Sequence, residues 1–372
     1  MKWPQVMLGD ICELKYGQSL SAKNRIQGDF GVYGSNGKVD THNEPCTDGP
    51  TIIIGRKGSF GEINYSYDSC WPIDTTYFVD RTCTDSHLPW LAYMMRHLRL
   101  NKLNKAAAVP GLNRNDAYGT KLLLPPIKEQ RQIAAILDKA DAVRKKRQQS
   151  LDMLDDFLRA TFLDMFGDPH LNPRGWDVRE LEEFSLIRSG VTKGRKLAGK
   201  ETISLPYMRV ANVQDGYIDV SDIKEIEIPI SEVKKFSLSK GDLLLTEGGD
   251  PDKLGRGAVW NGQVNPCVHQ NHIFSVSLDQ NVATPEFMSA QIGSSRGKRY
   301  FLKSAKQTTG IASINKTQLR AFPAFLPPIT LQQKYKEIAI SVRSRKEQCE
   351  KMLSEANDLF ASLSQRAFKG EL

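Results

Sequence analysis

The sequence predicts a mixed α/β (α+β) protein built from two copies of one module, each followed by a long helix. Three observations support this prediction: an internal repeat, two long segments with helical spacing of apolar residues, and short apolar runs bounded by turn residues. The chain has 372 residues, a formal net charge of +8 and a pI near 9.0. A basic excess of this size is compatible with a polyanionic partner such as nucleic acid.

The internal repeat is clearest around two proline pairs. Leu124-Pro125-Pro126-Ile127 recurs 202 residues later as Leu326-Pro327-Pro328-Ile329, and residues 113–168 align with the second copy without a gap. Near the start of each copy the matching residues lie 173 positions apart, as Gly17 and Gly190 do. The second module is therefore 29 residues longer inside, which suits two related scaffolds that bind different targets.

A long helix is predicted after each proline pair, at residues 129–166 and 331–368. Proline ends the strand-like run before it, and the first segment then lacks both proline and glycine over roughly 57 Å of helix. Apolar residues recur at alternating steps of three and four, which is a heptad pattern, and two such helices bury their stripes by pairing as an antiparallel coiled coil. The alternative is that each helix packs on its own module. The predicted helix seam consists of Ile136, Ala140, Val143, Leu154, Phe157, Ile338, Val342, Met352, Leu359 and Leu363.

The predicted domain organisation is module 1 at 1–128, helix 1 at 129–167, module 2 at 168–330 and helix 2 at 331–372, with a pseudo-twofold relation between the copies. One shorter helix is expected in each module, at residues 88–100 and 285–292. No apolar run is long enough to span a membrane, and the six scattered cysteines fit a reducing cytoplasm. A cytoplasmic protein is therefore expected.

The sequence contains no motif that indicates catalysis or a metal site. Gly55-Arg56-Lys57-Gly58-Ser59 lacks the spacing of a phosphate-binding loop, and no GxGxxG opens a helix. The proline pairs lack the aromatic residue with which amino-methyltransferases hold a flipped base. His269-Gln270-Asn271-His272 lacks a third ligand, so we interpret it as a polar string at a strand end rather than a metal site.

Both module interiors are rich in side chains that hydrogen-bond to base edges and phosphates. The alternative for any single residue is a polar loop that contacts only water, but the clusters, the duplication and the basic pI favour DNA. In module 1 the candidate DNA-binding residues are Tyr33, Ser35, Asn36, Lys38, Arg56, Lys57, Ser59, Arg114 and Asn115. In module 2 they are Lys193, Arg195, Lys196, Arg209, Asn212, Arg256, Gln270, Asn271, Lys306, Thr308, Thr309, Asn315 and Lys316.

The same stretches carry a family resemblance over nearly the whole chain. They are Tyr33-Gly34-Ser35-Asn36-Gly37, Ile53-Ile54-Gly55-Arg56-Lys57-Gly58-Ser59, Gly111-Leu112-Asn113-Arg114-Asn115-Asp116, His269-Gln270-Asn271-His272, Ile314-Asn315-Lys316 and the final ten residues. Because these stretches follow one another in this order, the chain resembles the specificity (S) subunits of Type I restriction-modification systems. His269-Gln270-Asn271-His272 has no counterpart in the sequence of module 1, so we expect the two modules to read different half-sites.

The resemblance implies that each module is a target recognition domain for one half of a bipartite, asymmetric double-stranded DNA site. The helices would set the spacing and dock two methyltransferase (M) subunits, which motor-nuclease (R) subunits join. S-adenosylmethionine, ATP and Mg²⁺ would be bound by these partners and none by this non-catalytic chain, which would direct DNA methylation and phage defence. The alternatives are the recognition subunit of a modification-only or other phage-defence complex, a stand-alone DNA-binding regulator, and a stand-alone enzyme, for which a catalytic motif is missing.

Overall fold

The computed structural model describes residues 3–103, 111–249, 254–308 and 311–372. Contacts divide the chain into two compact units. Unit 1 comprises Met1–Ser150 and Cys349–Leu372, and unit 2 comprises Leu151–Gln348. Each unit therefore holds one β-rich module together with part of each long helix.

Unit 1 is a set of short strands with two shorter helices and the first part of a long one. Its strands are β1 (Gln5–Met7), β2 (Lys15–Tyr16), β3 (Phe30–Gly34), β4 (Gly37–His42), β5 (Thr51–Gly55), β6 (Ile63–Ser66), β7 (Cys70–Pro72), β8 (Thr76–Val79) and β9 (Lys121–Leu123). Its helices are α1 (Leu88–Leu98), α2 (Arg114–Tyr118) and the start of α3 (Ile127–Phe166).

Unit 2 repeats this plan with additional elements. Its strands are β10 (Asp177–Glu180), β11 (Ser185–Ser189), β12 (Thr202–Met208), β13 (Lys224–Pro229), β14 (Leu243–Thr246), β15 (Gly248–Gly249), β16 (Gly257–Val259), β17 (Val268–His269), β18 (Ile273–Leu278), β19 (Lys306–Thr308), β20 (Ile311–Ser313) and β21 (Pro323–Leu326). Its helices are α4 (Val233–Phe236), α5 (Pro285–Gly293), α6 (Ser295–Ser304), α7 (Lys316–Arg320) and the first part of α8 (Ile329–Lys369).

Two sheets of each unit share one topology, and unit 2 has a further sheet in the order β15-β20-β19. Unit 1 has a four-stranded sheet in the order β2-β8-β5-β6 and a three-stranded sheet in the order β4-β3-β7. Unit 2 has the corresponding orders β11-β18-β14-β16 and β13-β12-β17. In both three-stranded sheets the central strand has one antiparallel and one parallel neighbour. The predicted internal repeat is therefore a repeat of the fold.

Strands β5 and β14 are inner strands of the four-stranded sheets and are apolar because both of their faces are covered. In β5 the β-branched run of Ile52, Ile53 and Ile54 is fully buried, and α1 supplies Trp90 and Leu91 to the same core as Ile52 and Ile54. Helix α1 begins with a proline in its first turn, where no hydrogen bond of its nitrogen is lost. The predictions of α1 and α5 are confirmed, whereas α2, α4, α6 and α7 were not predicted.

A buried glutamine ties each long helix to its module in the same way. The Gln130 side chain accepts a hydrogen bond from the backbone of His87 at 2.8 Å and donates to the Pro125 carbonyl at 2.9 Å. Gln332, 202 residues later, accepts from the backbone of Thr284 at 3.0 Å and donates to Pro327 at 2.8 Å. The repeated Gln therefore closes the turn that follows each proline pair.

Within unit 1, the end of α8 packs on the start of α3. The Arg144 guanidinium lies 4.3 Å from the ring centre of Phe360, and Ile133 and Leu137 share a core with Phe368. Because lower-numbered residues of α3 meet higher-numbered residues of α8, the two segments run antiparallel.

Within unit 2, the end of α3 packs on the start of α8 in the same manner. Tyr335 lies edge-on to Phe162 and Phe166, with ring centres 5.5 Å apart in both pairs. Further along, the Lys346 ammonium lies 2.6 Å from the Asp155 carboxylate. The predicted mixed fold with two β-rich modules and two long packed helices is confirmed.

The predicted helix seam needs correction at four positions. Ile136, Val143, Phe157 and Leu359 are 39–56% exposed. Ala140, Leu154, Ile338, Val342, Met352 and Leu363 are buried or half-buried. The reason is that apolar pairs such as Ile136-Leu137 and Phe157-Leu158 allow two heptad registers, and the structure buries the second residue of each pair more than the first.

Among the residues that the structure describes, we find no helix with both the length and the apolar character that a bilayer crossing needs.

Candidate nucleic-acid interface

A cluster of two arginines and two tyrosines in unit 1, which we call the basic site, consists of Tyr16, Arg56, Tyr77 and Arg114 with Lys57 beside them. The Arg56 and Arg114 guanidinium carbons each lie 5.2 Å from the ring centre of Tyr16. Arg56 also lies 5.9 Å from the Tyr77 ring. Tyr16 is thus in cation–π contact with two guanidinium groups.

Backbone contacts between distant segments assemble the basic site. Tyr16 of β2 faces Tyr77 of β8 in register, and Arg56 follows the end of β5. The Arg56 carbonyl accepts a hydrogen bond from the Leu112 nitrogen at 2.9 Å, which brings the start of α2 close. Arg114 is the first residue of α2, because the Asn113 side chain caps this short helix.

The basic site presents hydrogen-bond donors toward an open cavity of about 390 Å³. One guanidinium nitrogen of Arg56 donates a hydrogen bond to the Asp74 carbonyl at 2.9 Å, and Lys57 is exposed on the cavity wall. Burial raises the pKa of Tyr77, so this ring stays neutral beside the guanidinium groups. Arginine and lysine carry donors only, so the site suits acceptor groups such as phosphate oxygens or guanine O6 and N7.

Unit 2 places different side chains at the equivalent position. The Glu247 nitrogen donates to the His272 carbonyl at 2.9 Å, as the Arg56 nitrogen does to Thr75. The Glu247 carbonyl accepts from the Ile314 nitrogen at 2.8 Å, as the Arg56 carbonyl does from Leu112. Glu247 is therefore the structural equivalent of Arg56.

The remaining positions of the basic site have equivalents as well. Ser189 and Phe274 are paired across β11 and β18 as Tyr16 and Tyr77 are across β2 and β8. Lys316 opens α7 after the capping residue Asn315, as Arg114 opens α2. We call the group Ser189, Glu247, His272, Phe274 and Lys316 the Glu247 site.

The Glu247 site contains a carboxylate–imidazole pair. His272 Nδ1 lies 2.7 Å from Glu247 Oε2, and because a carboxylate accepts only, the imidazole donates this hydrogen bond. The His272 and Glu247 side chains are 57% and 32% exposed, so both reach solvent. Partial burial lowers the pKa of Lys316 at the start of α7.

Comparison with known proteins shows which proteins the chain is similar to. Residues 1–153 match the family described as Type I restriction modification DNA specificity domain. The chain is 23% identical over 297 residues to the Type I restriction enzyme EcoKI specificity subunit of Escherichia coli strain K12, covering 73% of this chain and 62% of that protein. It is 23% identical over 295 residues to the StySPI specificity subunit of Salmonella potsdam, again covering 73% and 62%.

The fold of the whole chain is similar to that of a solved structure. The crystal structure of the Type I restriction-modification system S subunit from M. genitalium superimposes with a TM-score of 0.65, covering 98% of this chain and 96% of that one at 14% identity. Residues 1–153 therefore resemble a Type I restriction modification DNA specificity domain, and the fold of the whole chain is that of the solved S subunit. The chain spans about three fifths of the length of these two curated relatives.

The structure brings only part of the predicted DNA-binding residues of unit 1 together. Arg56, Lys57, Arg114 and Asn115 line one cavity. Asn36 and Lys38 lie exposed at the β3–β4 turn, while Tyr33 and Ser59 are half-buried. Ser35 needs correction, because it is 9% exposed and its hydroxyl donates to the Thr75 carbonyl at 2.7 Å. Ser35 thus holds the loop of the basic site.

Several predicted residues of unit 2 are engaged inside the module. Asn212 needs correction, because it is 3% exposed and its amide donates to the Asp219 and Asp222 carbonyls. Arg209 hydrogen-bonds to Asp222 at 2.8 Å, and this contact holds the pKa of the carboxyl below its usual value. Arg256 donates to Gln214 at 3.2 Å.

Arg195 forms an ion pair with Glu232 at 2.8 Å, and its hydrogen bond lowers the pKa of that carboxyl. The nearby Lys193 and Lys196 are exposed and Gln270 and Asn271 half-buried. Lys306 and Thr308 lie in β19, and Thr309 lies outside the described residues.

The polar string at residues 269–272 has a positional counterpart in unit 1. The His269 carbonyl accepts from Val191 as the Pro72 carbonyl accepts from Gln18, so the string corresponds to Pro72–Thr75 with different side chains. His269 is fully buried, its Nδ1 donates to the Phe236 carbonyl, and burial lowers its pKa to about 4. Across the described ranges, no three His, Cys, Asp or Glu side chains come together in a group that could hold a metal ion.

The sequence prediction missed Tyr16, Tyr77 and Glu247. Glu247 had a usable signal, because Leu243-Leu244-Leu245 before it matches the apolar run before Arg56, and glycine follows both sites closely. The two tyrosines had none, because their pairing with Arg56 depends on strand register over long sequence separations.

Proposed function

We propose that this chain is the DNA-recognition component of a Type I restriction-modification complex in the cytoplasm and contributes no catalytic group of its own. The basic site carries the proposal. Two guanidinium groups are held against one tyrosine with donors directed toward an open cavity, and a third cation stands beside them. This arrangement suits a polyanion whose base edges present acceptors. The two curated relatives are named as specificity subunits of Type I restriction enzymes, which agrees with this role.

The duplicated module supports a bipartite target. Modules 1–128 and 168–330 would each read one half-site, since both carry the same sheet topology. Arg56 in one unit corresponds to Glu247 in the other, and these side chains have opposite charge. The two half-sites would therefore differ, and the target would be asymmetric.

The long helices would set the gap between half-sites and dock the catalytic partners. Helix α3 has 40 residues, or about 60 Å, which corresponds to roughly 18 base pairs of DNA. The exposed Ile136, Val143, Phe157 and Leu359 offer apolar contacts for two methyltransferase subunits. Those subunits would supply S-adenosylmethionine, and motor-nuclease subunits would supply ATP and Mg²⁺ chemistry.

The proposed function is tested by a genome-wide adenine methylation map. A host that lacks methylases would express the cognate methyltransferase subunit with and without this chain. We expect methylation at one gapped, asymmetric motif only when the chain is present. Methylation that is absent, or that does not depend on the chain, would contradict the proposal.

A further inference from the structure

Arg56 and Glu247 occupy the same place in the module fold and have opposite hydrogen-bonding character. Each residue follows an inner strand of its four-stranded sheet, β5 or β14, and each carbonyl accepts from the residue just before the capping asparagine of a short helix. The difference therefore lies in the side chains and not in the position of the backbone.

The chemistry around the two residues changes with them. In unit 1, Tyr16 and Arg114 provide a ring and a second cation. In unit 2, Ser189 takes the place of the Tyr16 ring, and Phe274 takes the place of Tyr77. Glu247 instead contacts the His272 imidazole at 2.7 Å, and a hydrogen bond of this kind holds the carboxylate in one orientation.

We infer that Glu247, oriented by His272, is a specificity-determining residue that accepts a hydrogen bond from the exocyclic amino group of a base in the half-site read by unit 2. This inference rests on the proposed function. A carboxylate repels phosphate, so a role beside DNA must involve a donor on a base edge, such as the cytosine N4 amino group. In unit 1, Arg56 and Arg114 select acceptors at the equivalent position.

The orientation of the carboxylate leaves it one acceptor oxygen for the base. His272 engages Oε2, and the Glu247 side chain is 32% exposed. A carboxylate has two acceptor oxygens, so Oε1 is the one that we assign to the base. His272 is a positioning residue, since it acts through Glu247. Its removal should weaken discrimination without changing which base is preferred.

The test is a selection from a pool of double-stranded DNA with random positions, bound by the full chain in complex with its methyltransferase subunit. Wild type is compared with Glu247→Gln, with His272→Gln, and with Glu182→Gln as a matched control at another exposed carboxylate of unit 2. Thermal melting checks that each variant is folded, which is expected because the altered side chains reach solvent.

We expect Glu247→Gln to reduce discrimination at one base pair of one half-site by about tenfold or more, and to favour adenine there because Gln pairs with its N6 and N7. The rest of the motif should be retained. His272→Gln should give a smaller loss at the same base pair, and Glu182→Gln should match wild type.

Two outcomes would overturn the inference while leaving the proposed function intact. One is a motif that Glu247→Gln leaves unchanged at every position. The other is uniformly tighter binding of all sequences, which would place Glu247 beside phosphates. A wild-type complex that enriches no motif would refute the proposed function and this inference with it.

Discussion

The basic site makes a quantitative prediction about DNA affinity. Replacing Arg56 or Arg114 by alanine removes one guanidinium from the Tyr16 ring, which both contact at 5.2 Å. A bidentate arginine contact to a base contributes about 1–3 kcal/mol. At about 1.4 kcal/mol per factor of ten, each substitution should raise the Kd for the recognised site by about tenfold.

The two substitutions should not be additive. Both arginines contact the ring of Tyr16. Removing one arginine leaves this half-exposed ring without one of its contacts, so the ring is no longer held in place for the second arginine. Residues in contact show coupling energies of about 0.5 kcal/mol or more in double-mutant cycles. We therefore expect the double variant to differ from the sum of the single variants by at least about this amount.

Fluorescence anisotropy with a labelled duplex that carries the mapped motif measures these effects at several salt concentrations. If either arginine contacts a phosphate, its loss lowers the slope of log K against log salt by about 0.9 and weakens all sequences alike. If the arginine contacts a base instead, its loss lowers the specificity for the recognised sequence. Arg81→Ala, at another exposed arginine of unit 1, is the matched control. Single variants that bind like wild type with an unchanged slope would refute the assignment of the basic site.

Three further predictions concern the scaffold. Asp242 is 2% exposed and accepts hydrogen bonds from Arg188, Ser275 and Ser277. Asp242→Ala should therefore lower the free energy of urea unfolding by about 3–5 kcal/mol. An effect no larger than that of Asp177→Ala would contradict this prediction. Burial lowers the pKa of His269 from 6.5 to about 4. Between these pH values the unfolded chain binds a proton that the folded chain does not, so the free energy of unfolding should fall by about 3 kcal/mol as the pH decreases from 6.5 to 4. His269→Gln should lack this loss. Inserting one heptad into α3 adds about 10 Å and should lengthen the recognised gap or abolish binding, whereas an unchanged gap would exclude a spacing role.

Much of the fold could be predicted from the sequence because the repeat acts through local contacts. Asn113 and Asn315 cap equivalent short helices, and Gln130 and Gln332 close equivalent turns through the carbonyls of Pro125 and Pro327. Each contact joins the repeated proline-pair segment to its surroundings, so the same residues at the same spacing give the same structure twice.

The helix seam and the candidate sites were less accessible to such reasoning. Neighbouring apolar residues such as Ile136 and Leu137 support two heptad registers, and only the packing partner selects one. Asn212 resembled a base-contacting residue in the sequence, yet the carbonyls that bind its amide belong to a loop seven to ten residues away. The exchange of Arg56 for Glu247 became visible only when backbone hydrogen bonds identified the equivalent positions.

We propose that the two modules, which share one fold, read two different half-sites. This proposal is tested most directly by determining the target motif of the complex containing wild type, Arg56→Ala or Glu247→Gln under the same conditions. We predict that Arg56→Ala relaxes base preference in one half of the motif and Glu247→Gln in the other, with the gap unchanged. Relaxation of the same half by both variants, or of the whole motif by either, would contradict the claim.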